Sequence, residues 1–312
     1  MLKDDNAGAT GAGASGWSWA AEFAPGFDVV EPRRSISSVV FSSPHSGSVY
    51  PGRFLATVKL DALALRRSED AYVDELYARA PDLGAPLLRT HFPRAFLDVN
   101  REPYELDPRM FEDRLPAFAN TRSMRVAGGL GTIARVVGEA REIYGRKLAV
   151  ADALGRIESL YKPWHARLRG LLQRAERDFG GSVLVDCHSM PSATGRGSGP
   201  EERQRADIVL GDRYGTSCDV MLVDVVEAEL RRRGYNVFRN KPYAGGFITE
   251  HYGNPALGRH ALQIEVNRRL DMDEKTMARH SGFAPLAADL ASMATALIEA
   301  ARSLPARRAA AE

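Results

Sequence analysis

The sequence has few cysteines, no large excess of charge of either sign and no uninterrupted apolar run of transmembrane length. Its two cysteines, Cys187 and Cys218, are too few for a disulfide framework, which favours a reducing compartment. The 42 basic and 40 acidic residues give a net charge of +2, so the composition does not indicate nucleic-acid binding. The amino terminus lacks the basic and apolar regions of a secretory signal. We therefore expect a cytoplasmic protein with neither a nucleic-acid nor a membrane partner.

Apolar residues make up 44% of the 312 residues, which is enough to bury the core of a large α/β domain. Glycine, alanine and serine dominate residues 6–15, and we predict a disordered leader over residues 1–24. Residues 304–312 are predicted to be a frayed tail. A single α/β domain is thus expected over residues 25–303. The sequence leaves the oligomeric state open.

Short β-branched runs alternate with amphipathic segments, which predicts a three-layer α/β/α sandwich. Strands are predicted at residues 37–44, 87–90, 95–99, 182–187, 208–210, 236–240 and 261–266. Helices are predicted at residues 60–80, 135–179, 218–233 and 276–301. Residues 102–130 have no clear period and are expected to form an irregular loop over one face. The glycine-, serine- and proline-rich residues 191–205 are predicted to form a functional or mobile loop.

Two of the predicted strands each lead to a histidine, His45 and His188. Ligands of α/β sheets bind outside the carboxyl ends of the strands, so we expect both imidazoles in one crevice. Pro44 and Gly47 suit a tight turn that aims the His45 ring into a cleft. Two neutral imidazoles with a nearby carboxylate form a three-ligand zinc site that leaves a fourth position open for water. The pattern indicates metal-assisted hydrolysis, although either histidine alone would more simply be a buried residue bonded to a carbonyl.

The third ligand is expected from an acidic pair, Glu69 and Asp70, at the start of a helix predicted to begin near Ser68. Both lie near the buried side of that helix, and the periodicity does not choose between them. Acidic residues also favour the first turn of any helix. Asp186 is on the same strand face as His188 and could orient that imidazole from behind.

Glu265 is the candidate general base. It alternates with Gln263 on one face of a predicted strand whose other face carries apolar residues. A carboxylate in such a strand needs a partner or a task because burying an unpaired charge is costly. The structural alternative is an ion pair with the adjacent Arg268 or Arg269.

Two Asn-Arg pairs follow predicted strands, at Asn100-Arg101 and at Asn267-Arg268. The planar guanidinium group suits bidentate binding of carboxylates. The pairs therefore suggest a small acidic substrate.

Paired glycines, Gly245 and Gly246, predict a loop whose backbone comes close to a small substrate. Farther along the same stretch, His251 could donate a hydrogen bond to the scissile carbonyl or act as an acid. As a lone loop histidine, it could equally be structural.

Together these stretches resemble the N-formylglutamate amidohydrolase family, from about residue 36 to about residue 275. The resemblance rests on residues 44–47, 68–77, 98–101, 186–190, 240–246, 251–253 and 262–268. The family is related in fold to zinc carboxypeptidases and to aspartoacylase-like deacylases. That kinship implies a mixed, mostly parallel central sheet flanked by helices.

The resemblance also implies roles for individual residues. His45, Asp70 and His188 would hold one Zn²⁺ ion per chain, Asp70 being the acidic residue that matches the family's pattern. Another divalent metal is compatible with these ligands. Glu265 would be the general base toward metal-bound water. The implied carboxylate-binding residues are Asn100, Arg101 and Arg268.

The activity implied is hydrolysis of N-formyl-L-glutamate to formate and L-glutamate, a late step of histidine breakdown. The chain departs from the related patterns at two positions. Ser48 stands three residues after His45, where carboxypeptidases carry a glutamate, and Asp271 stands where the family often has tyrosine. The second departure bears on the identity of the substrate rather than on metal binding.

Three alternatives to this function remain open at the level of sequence. One is a related zinc deacylase for another N-acyl amino acid. Another is a nucleophilic Cys187 beside His188, although neighbouring strand residues point to opposite faces. The third is a non-catalytic protein of the same fold that binds an acidic metabolite.

Overall fold

The structure, a computed structural model, describes residues 18–192 and 205–304. Its strands are β1 (Phe27–Val30), β2 (Val39–Ser43), β3 (Leu87–Thr90), β4 (Val136–Val137), β5 (Arg141–Glu142), β6 (Ser182–Met190), β7 (Ile208–Gly211), β8 (Val237–Arg239), β9 (Arg259–Asn267), β10 (Met272–Asp273) and β11 (Ala278–Arg279). Its α-helices are α1 (Trp19–Phe23), α2 (Gly52–Leu55), α3 (Ala62–Arg66), α4 (Val73–Leu76), α5 (Met124–Ala127), α6 (Val150–Arg156), α7 (Lys162–Phe179), α8 (Val220–Arg232), α9 (Phe247–Tyr252) and α10 (Phe283–Arg302). A π-helical turn at Ile157–Tyr161 joins α6 to α7.

Seven strands form the central sheet in the order β1-β3-β2-β6-β9-β7-β8. The four neighbours β3, β2, β6 and β9 are mutually parallel. At one edge β1 pairs antiparallel to β3, and β7 pairs antiparallel to β9 before β8 closes the other edge in parallel with β7. The predicted mixed, mostly parallel sheet is confirmed.

Helices cover both faces of this sheet, which confirms the three layers. Successive residues of β2 show the alternation, because Val40 belongs to the apolar cluster under α7 whereas Val39 belongs to the cluster under α8 and α10. Trp164 of α7 and Leu290 of α10 are completely buried in these two cores. The alternation places apolar side chains on both faces of the central strands, as a sheet with helices on both sides requires.

The closing helix α10 is long and apolar enough, by length and composition, to be a candidate membrane span. Its leucine, methionine and isoleucine side chains pack in the core beside α8. A core helix of an α/β domain has the same composition, so the candidate is weak evidence for a membrane.

The single helix predicted over residues 60–80 is wrong. The chain forms α3 and α4 instead, and the residues between them turn inward, where the amide of Asp70 donates to the His45 carbonyl at 3.0 Å. Tyr72, just before α4, has a φ of +65°. A continuous helix could not make this contact, so tertiary hydrogen bonding overrides the helical periodicity here.

The predicted bounds of other helices and strands also need correction. Residues 95–99 form turns rather than a strand, with the amide of Phe96 donating to the Pro93 carbonyl. Residues 135–149 contain the short β4–β5 pair, and the helical region begins only at α6. Residues 278–279 form β11, so the final helix begins at α10. The irregular character of residues 102–130 is confirmed, with α5 as its one short α-helix.

The predicted leader reached residue 24, but α1 is folded within it. Trp19 and Phe23 are buried, and both rings pack on Phe96. The apolar area of these two aromatic side chains explains why this segment joins the core. Residues 1–17 and 305–312 and most of the predicted loop at 191–205, namely 193–204, lie outside the described residues.

The turn after β2 carries His45 and depends on a glycine. A Cβ atom on Gly47 would lie 2.0 Å from the carbonyl oxygen of Phe92, so no side chain fits there without moving the backbone. The neighbouring amide of Val49 donates to the His91 carbonyl at 3.0 Å, which holds the two segments together.

We expect the substitution Gly47→Ala to lower the free energy of unfolding by about 1–3 kcal/mol, as overpacking at a buried backbone contact does. Gly52→Ala is the matched control, because a Cβ there meets nothing within 4 Å. Urea denaturation of both variants measures the difference. Equal stability of the two variants would contradict the role assigned to Gly47.

Candidate active site

A cavity of about 660 Å³ opens at the carboxyl ends of β2, β6 and β9. Its volume is in the usual range for small-molecule sites. Five arginines line it: Arg67, Arg94, Arg101, Arg125 and Arg268. Three carboxylates and two imidazoles line it as well: Asp70, Asp98, Glu265, His45 and His188. The excess of positive side chains favours an anionic ligand.

The two predicted histidines meet at Asp70. The Nδ1 atom of His45 lies 3.3 Å from Asp70 Oδ2, and the Nδ1 atom of His188 lies 2.9 Å from the same oxygen. One potential ligand atom from each residue lies within 4.8 Å of the others, and all three side chains are buried. The parallel neighbours β2 and β6 bring the histidines together, and the inward turn before α4 adds the carboxylate.

The outer nitrogen of each imidazole also faces a carboxylate. His45 Nε2 lies 2.8 Å from Asp98 Oδ1, and His188 Nε2 lies 2.9 Å from Asp186 Oδ2. A neutral imidazole has only one N–H, and a ring that binds a metal through Nδ1 carries it on Nε2, next to Asp98 for His45 and next to Asp186 for His188. In that tautomer both Nδ1 lone pairs face the Asp70 oxygen, so three possible ligand atoms converge. Such a donor set fits a divalent metal ion, with the outer carboxylates fixing the ring orientation.

The electrostatics of the group favour a cation at the same place. Burial would raise the pKa of Asp70, but the neighbouring His45 and His188 bring it well below its ordinary value. Burial would lower the pKa of His188, but Asp186, Asp70 and Glu265 raise it well above the ordinary range. Negative charge on three sides of this imidazole therefore stabilises positive charge beside it.

The structure separates the two acidic candidates for the third ligand. Glu69 accepts hydrogen bonds from the Tyr50 hydroxyl at 2.6 Å and from Arg66 Nε at 3.2 Å. These partners hold its carboxylate apart from the histidines, whereas Asp70 contacts both. Helical periodicity could not make this distinction because the two residues do not lie on a helix.

Glu265 lies next to the histidine site, since β9 pairs with β6 and places it opposite His188. The side-chain Nε2 of Gln263 donates to Glu265 Oε1 at 2.9 Å. The side-chain Oε1 of Gln263 in turn accepts from the Gly246 backbone amide at 2.8 Å. Burial raises the pKa of Glu265 to about 7 despite the opposing charge of His188. A carboxyl group with such a pKa exchanges protons readily near neutral pH.

The predicted ion pairs of Glu265 with neighbouring arginines are not formed. Arg269 pairs with Asp207. Arg268, predicted to bind substrate carboxylate, donates instead to Asp70 Oδ1 at 3.1 Å and to the Glu69 carbonyl at 2.7 Å.

The remaining contacts of Arg268 also join its guanidinium group to protein atoms. Its Nε donates to Ser189 Oγ at 3.0 Å, and its Nη1 donates to the Arg67 carbonyl at 3.1 Å. All three of its nitrogens are therefore engaged with protein. Arg268 lines the cavity but holds the segment that carries Asp70, and its predicted role in binding a substrate carboxylate stays a prediction.

The pair Asn100 and Arg101 lines the cavity as predicted. Asn100 Oδ1 accepts from the Ile248 amide at 2.8 Å, and its Nδ2 lies 3.3 Å from His188 Nε2. Arg101 is fixed through Nε, which donates to the Leu130 carbonyl at 2.9 Å, and through Nη1, which donates to the Asn100 carbonyl at 2.7 Å. Asn100 thus holds the start of α9, while the guanidinium group of Arg101 faces the cavity.

The predicted glycine loop also reaches the cavity. Gly245 has a φ of +123°, and a Cβ atom on Gly246 would lie 2.5 Å from the Asn100 side chain. Both positions therefore require glycine. His251 does not reach the cavity: it is exposed on α9 with its ring stacked on Phe247 at 5.0 Å. The prediction of a catalytic His251 has no support in this geometry.

Sequence reasoning missed three groups at the site. Asp98 appeared in the motif around Asn100 without a role, although its spacing placed it on the same strand-end segment. Arg94 and Arg125 carried no recognisable signal, because each lies in an irregular segment that only the tertiary fold brings to the cavity.

Cys187 lies on the opposite face of β6 from His188, in the apolar core. It is fully buried, and burial raises the pKa of its thiol well above the ordinary value. A thiol without access to the cavity cannot attack a substrate there, which removes the cysteine alternative.

Known proteins resemble this chain over most of its length. The N-formylglutamate amidohydrolase family matches residues 37–272. An N-formylglutamate deformylase of Pseudomonas aeruginosa is 28% identical over 278 residues, 87% of this chain and 93% of that protein. The N-formylglutamate deformylase of Pseudomonas putida is 27% identical over 241 residues, 76% of this chain and 82% of that protein.

Solved structures show the same relationship. The crystal structure of N-formylglutamate amidohydrolase from Ralstonia eutropha JMP134 has a TM-score of 0.83 and 39% sequence identity, covering 88% of this chain and 98% of that one. The gene product Atu2144 from Agrobacterium tumefaciens, at 18% identity, shares the fold with a TM-score of 0.63 over 88% of this chain and 95% of its own. The chain described here therefore belongs to the N-formylglutamate amidohydrolase family.

Proposed function

We propose that this protein is a metal-dependent amidohydrolase that converts N-formyl-L-glutamate and water to formate and L-glutamate. The observation that carries the proposal is the convergence of His45, Asp70 and His188 beside Glu265 in one cavity. The excess of arginines in that cavity and the deformylase names of the relatives support an acidic N-formyl substrate.

His45 Nδ1, His188 Nδ1 and the Asp70 carboxylate would hold the metal, and zinc suits two nitrogen donors and one oxygen donor. When bound, the ion polarises the formyl carbonyl and makes water more acidic. Asp98, which contacts His45 Nε2, and Asp186, 2.9 Å from His188 Nε2, would favour a proton on each outer nitrogen and leave the inner lone pairs for the metal. Arg268 holds Asp70 in place through the contacts described above.

Glu265 acts as the general base. Its carboxylate takes a proton from the attacking water as the water oxygen bonds to the formyl carbon. It then returns that proton to the nitrogen of the leaving glutamate as the carbon–nitrogen bond breaks. A positioned base of this kind contributes roughly 10²–10⁴-fold to the rate.

Substrate orientation comes from the walls of the cavity. Arg101 faces the cavity with part of its guanidinium group, and the backbone at Gly245 and Gly246 permits close approach of a small molecule. Holding the formyl group beside Glu265 orients the reacting groups, which supplies much of the acceleration over the same reaction in solution. Asp271 is buried behind this wall, where its amide donates to the Arg268 carbonyl, so it has no direct contact with the cavity.

A related deacylase that removes a larger acyl group is the second candidate. The cavity volume of about 660 Å³ favours it, because a formyl group leaves much of that space unfilled. A non-catalytic binding protein is a weaker candidate, since a binder gains nothing from a buried carboxyl group with a raised pKa.

Formate release from N-formyl-L-glutamate, with N-acetyl-L-glutamate in parallel, tests the proposed function. We expect formate release that a chelator abolishes and zinc restores. Acetate release alone would favour the second candidate. Absence of both products in metal-replete protein would contradict a hydrolytic function.

Metal binding distinguishes the two acidic candidates for the third ligand. We expect Asp70→Asn to lose most bound metal, because the amide is a weak ligand and leaves the two imidazoles without a negative partner. Glu69→Gln is the matched control and keeps one metal per chain. Metal content after dialysis measures both variants. Metal loss in Glu69→Gln with retention in Asp70→Asn would reverse the assignment.

Replacement of the base separates catalysis from metal binding. We expect Glu265→Gln to keep its metal and to lose kcat by roughly 10²–10⁴-fold, because the amide cannot accept the proton. In the wild type, kcat/KM should fall as pH decreases, since protonation removes the base. The bound cation lowers the pKa of Glu265, so the acid limb lies below pH 7. Near-normal turnover in Glu265→Gln would remove this residue from the mechanism.

A further inference from the structure

Three arginines cluster on the wall of the cavity on the His45 side of the site. Arg94 Nε donates to Asp98 Oδ2 at 3.0 Å, and Arg101 Nη2 lies 3.6 Å from the same oxygen. Arg125 Nη1 lies 3.8 Å from Glu105 Oε2, which is beyond hydrogen-bond distance. Three guanidinium groups therefore share two carboxylates, and one of these, Asp98, also contacts His45.

The cluster is close enough for its charges to interact. Burial lowers the pKa of the Arg101 guanidinium, Asp98 opposes this, and the positive charges of Arg94 and Arg125 lower it further, whereas Asp98 and Asp70 raise the pKa of Arg94. The charges of Arg94 and Arg125 therefore repel that of Arg101, and Asp98 offsets part of this repulsion. A bound anion would reduce this repulsion, and its attraction to the guanidinium groups would be strengthened by the low dielectric of the cavity.

The cluster also has hydrogen-bond donors to offer. Among residues 18–192 and 205–304, neither terminal nitrogen of Arg94 has a hydrogen-bond partner, and the guanidinium group of Arg125 has none at all. Arg268, by contrast, is fully engaged with Asp70 and its neighbours. Of the arginines that line the cavity in the described parts of the chain, those of the cluster and the exposed Arg67 therefore have donors available for a substrate carboxylate, and the cluster lies beside Asp98 and His45.

Contacts order these arginines outward from the histidine site. His45 contacts Asp98, and Asp98 contacts Arg94 and Arg101. Within the described parts of the chain, Arg125 has no ion pair with Asp98 and is linked to these groups through its charge interaction with Arg101, so it comes last in this series of contacts. In an N-acyl amino acid the α-carboxylate is one carbon away from the amide nitrogen, and an acidic side chain ends farther away.

We propose that Arg125 is a specificity-determining residue that binds the side-chain carboxylate of the substrate, while Arg94 and Arg101 hold its α-carboxylate. The substrate class is then an N-acyl amino acid with an acidic side chain. This inference rests on the proposed hydrolytic function and adds the residue that selects the side chain. Arg125 reaches the cavity because α5, capped by Ser123, projects from the irregular segment over this face.

The test compares N-formyl-L-glutamate with N-formyl-L-glutamine, which has nearly the same shape without the side-chain charge. We expect Arg125→Met to raise KM for N-formyl-L-glutamate on the order of 10- to 100-fold, because the variant loses a hydrogen-bonded charge pair with the substrate. Its KM for the glutamine substrate and its kcat for both change less than about twofold, because the reacting atoms are untouched. Arg125→Lys should recover part of the preference through its charge.

Arg122→Met is the matched control, since Arg122 is an exposed arginine of the same segment that does not line the cavity. It should keep the wild-type preference. Equal KM increases for both substrates in Arg125→Met would mean a structural role and would overturn the proposal. So would an unchanged preference for the glutamate substrate.

A binding measurement keeps this test independent of turnover. Calorimetric titration of the full-length protein with glutarate and with butyrate compares one dicarboxylate with one monocarboxylate. We expect wild type and Arg122→Met to bind glutarate at least about tenfold more tightly, and Arg125→Met to lose that difference. Lack of formate release with this pattern intact would reject only the proposed reaction. Equal binding of glutarate and butyrate by the wild type would reject the carboxylate site.

Discussion

The arrangement of the site depends on one buried carboxylate, Asp70, held between two imidazoles. Its Oδ2 atom lies beside the Nδ1 atoms of His45 and His188, and positive charge between these three atoms would stabilise the arrangement. The surrounding chain holds the Asp70 carboxylate in this position. Arg268 donates to Asp70 Oδ1, and the His45 carbonyl accepts from the Asp70 amide. The chain leaves helical geometry between α3 and α4 to make these contacts.

The sheet supplies the rest of the geometry. Because β2, β6 and β9 are adjacent and parallel, their carboxyl ends bring His45, His188 and Glu265 to one edge from positions far apart in sequence. Hydrogen bonds link the base to its surroundings through Gln263, which contacts both Glu265 and the Gly246 amide. The proposed base and the glycine loop are therefore linked through one side chain.

Much of this could be predicted from local pattern. Short β-branched runs ending in His45 and His188 were enough to place both residues at the crevice, and alternation with Gln263 was enough to orient Glu265. The inward turn at Asp70 could not be predicted, because its cause is a tertiary hydrogen bond that competes with helical periodicity. Arg125 was missed for a similar reason, since irregular segments have no period from which to read a direction.

The central claim is that three acceptor atoms converge on a metal ion. Anomalous scattering from crystals of the zinc-loaded protein, collected on both sides of the zinc absorption edge, tests it most directly. We expect one strong peak between His45 Nδ1, His188 Nδ1 and Asp70 Oδ2. A fully occupied peak elsewhere, or no peak at these atoms in protein saturated with zinc, would contradict it.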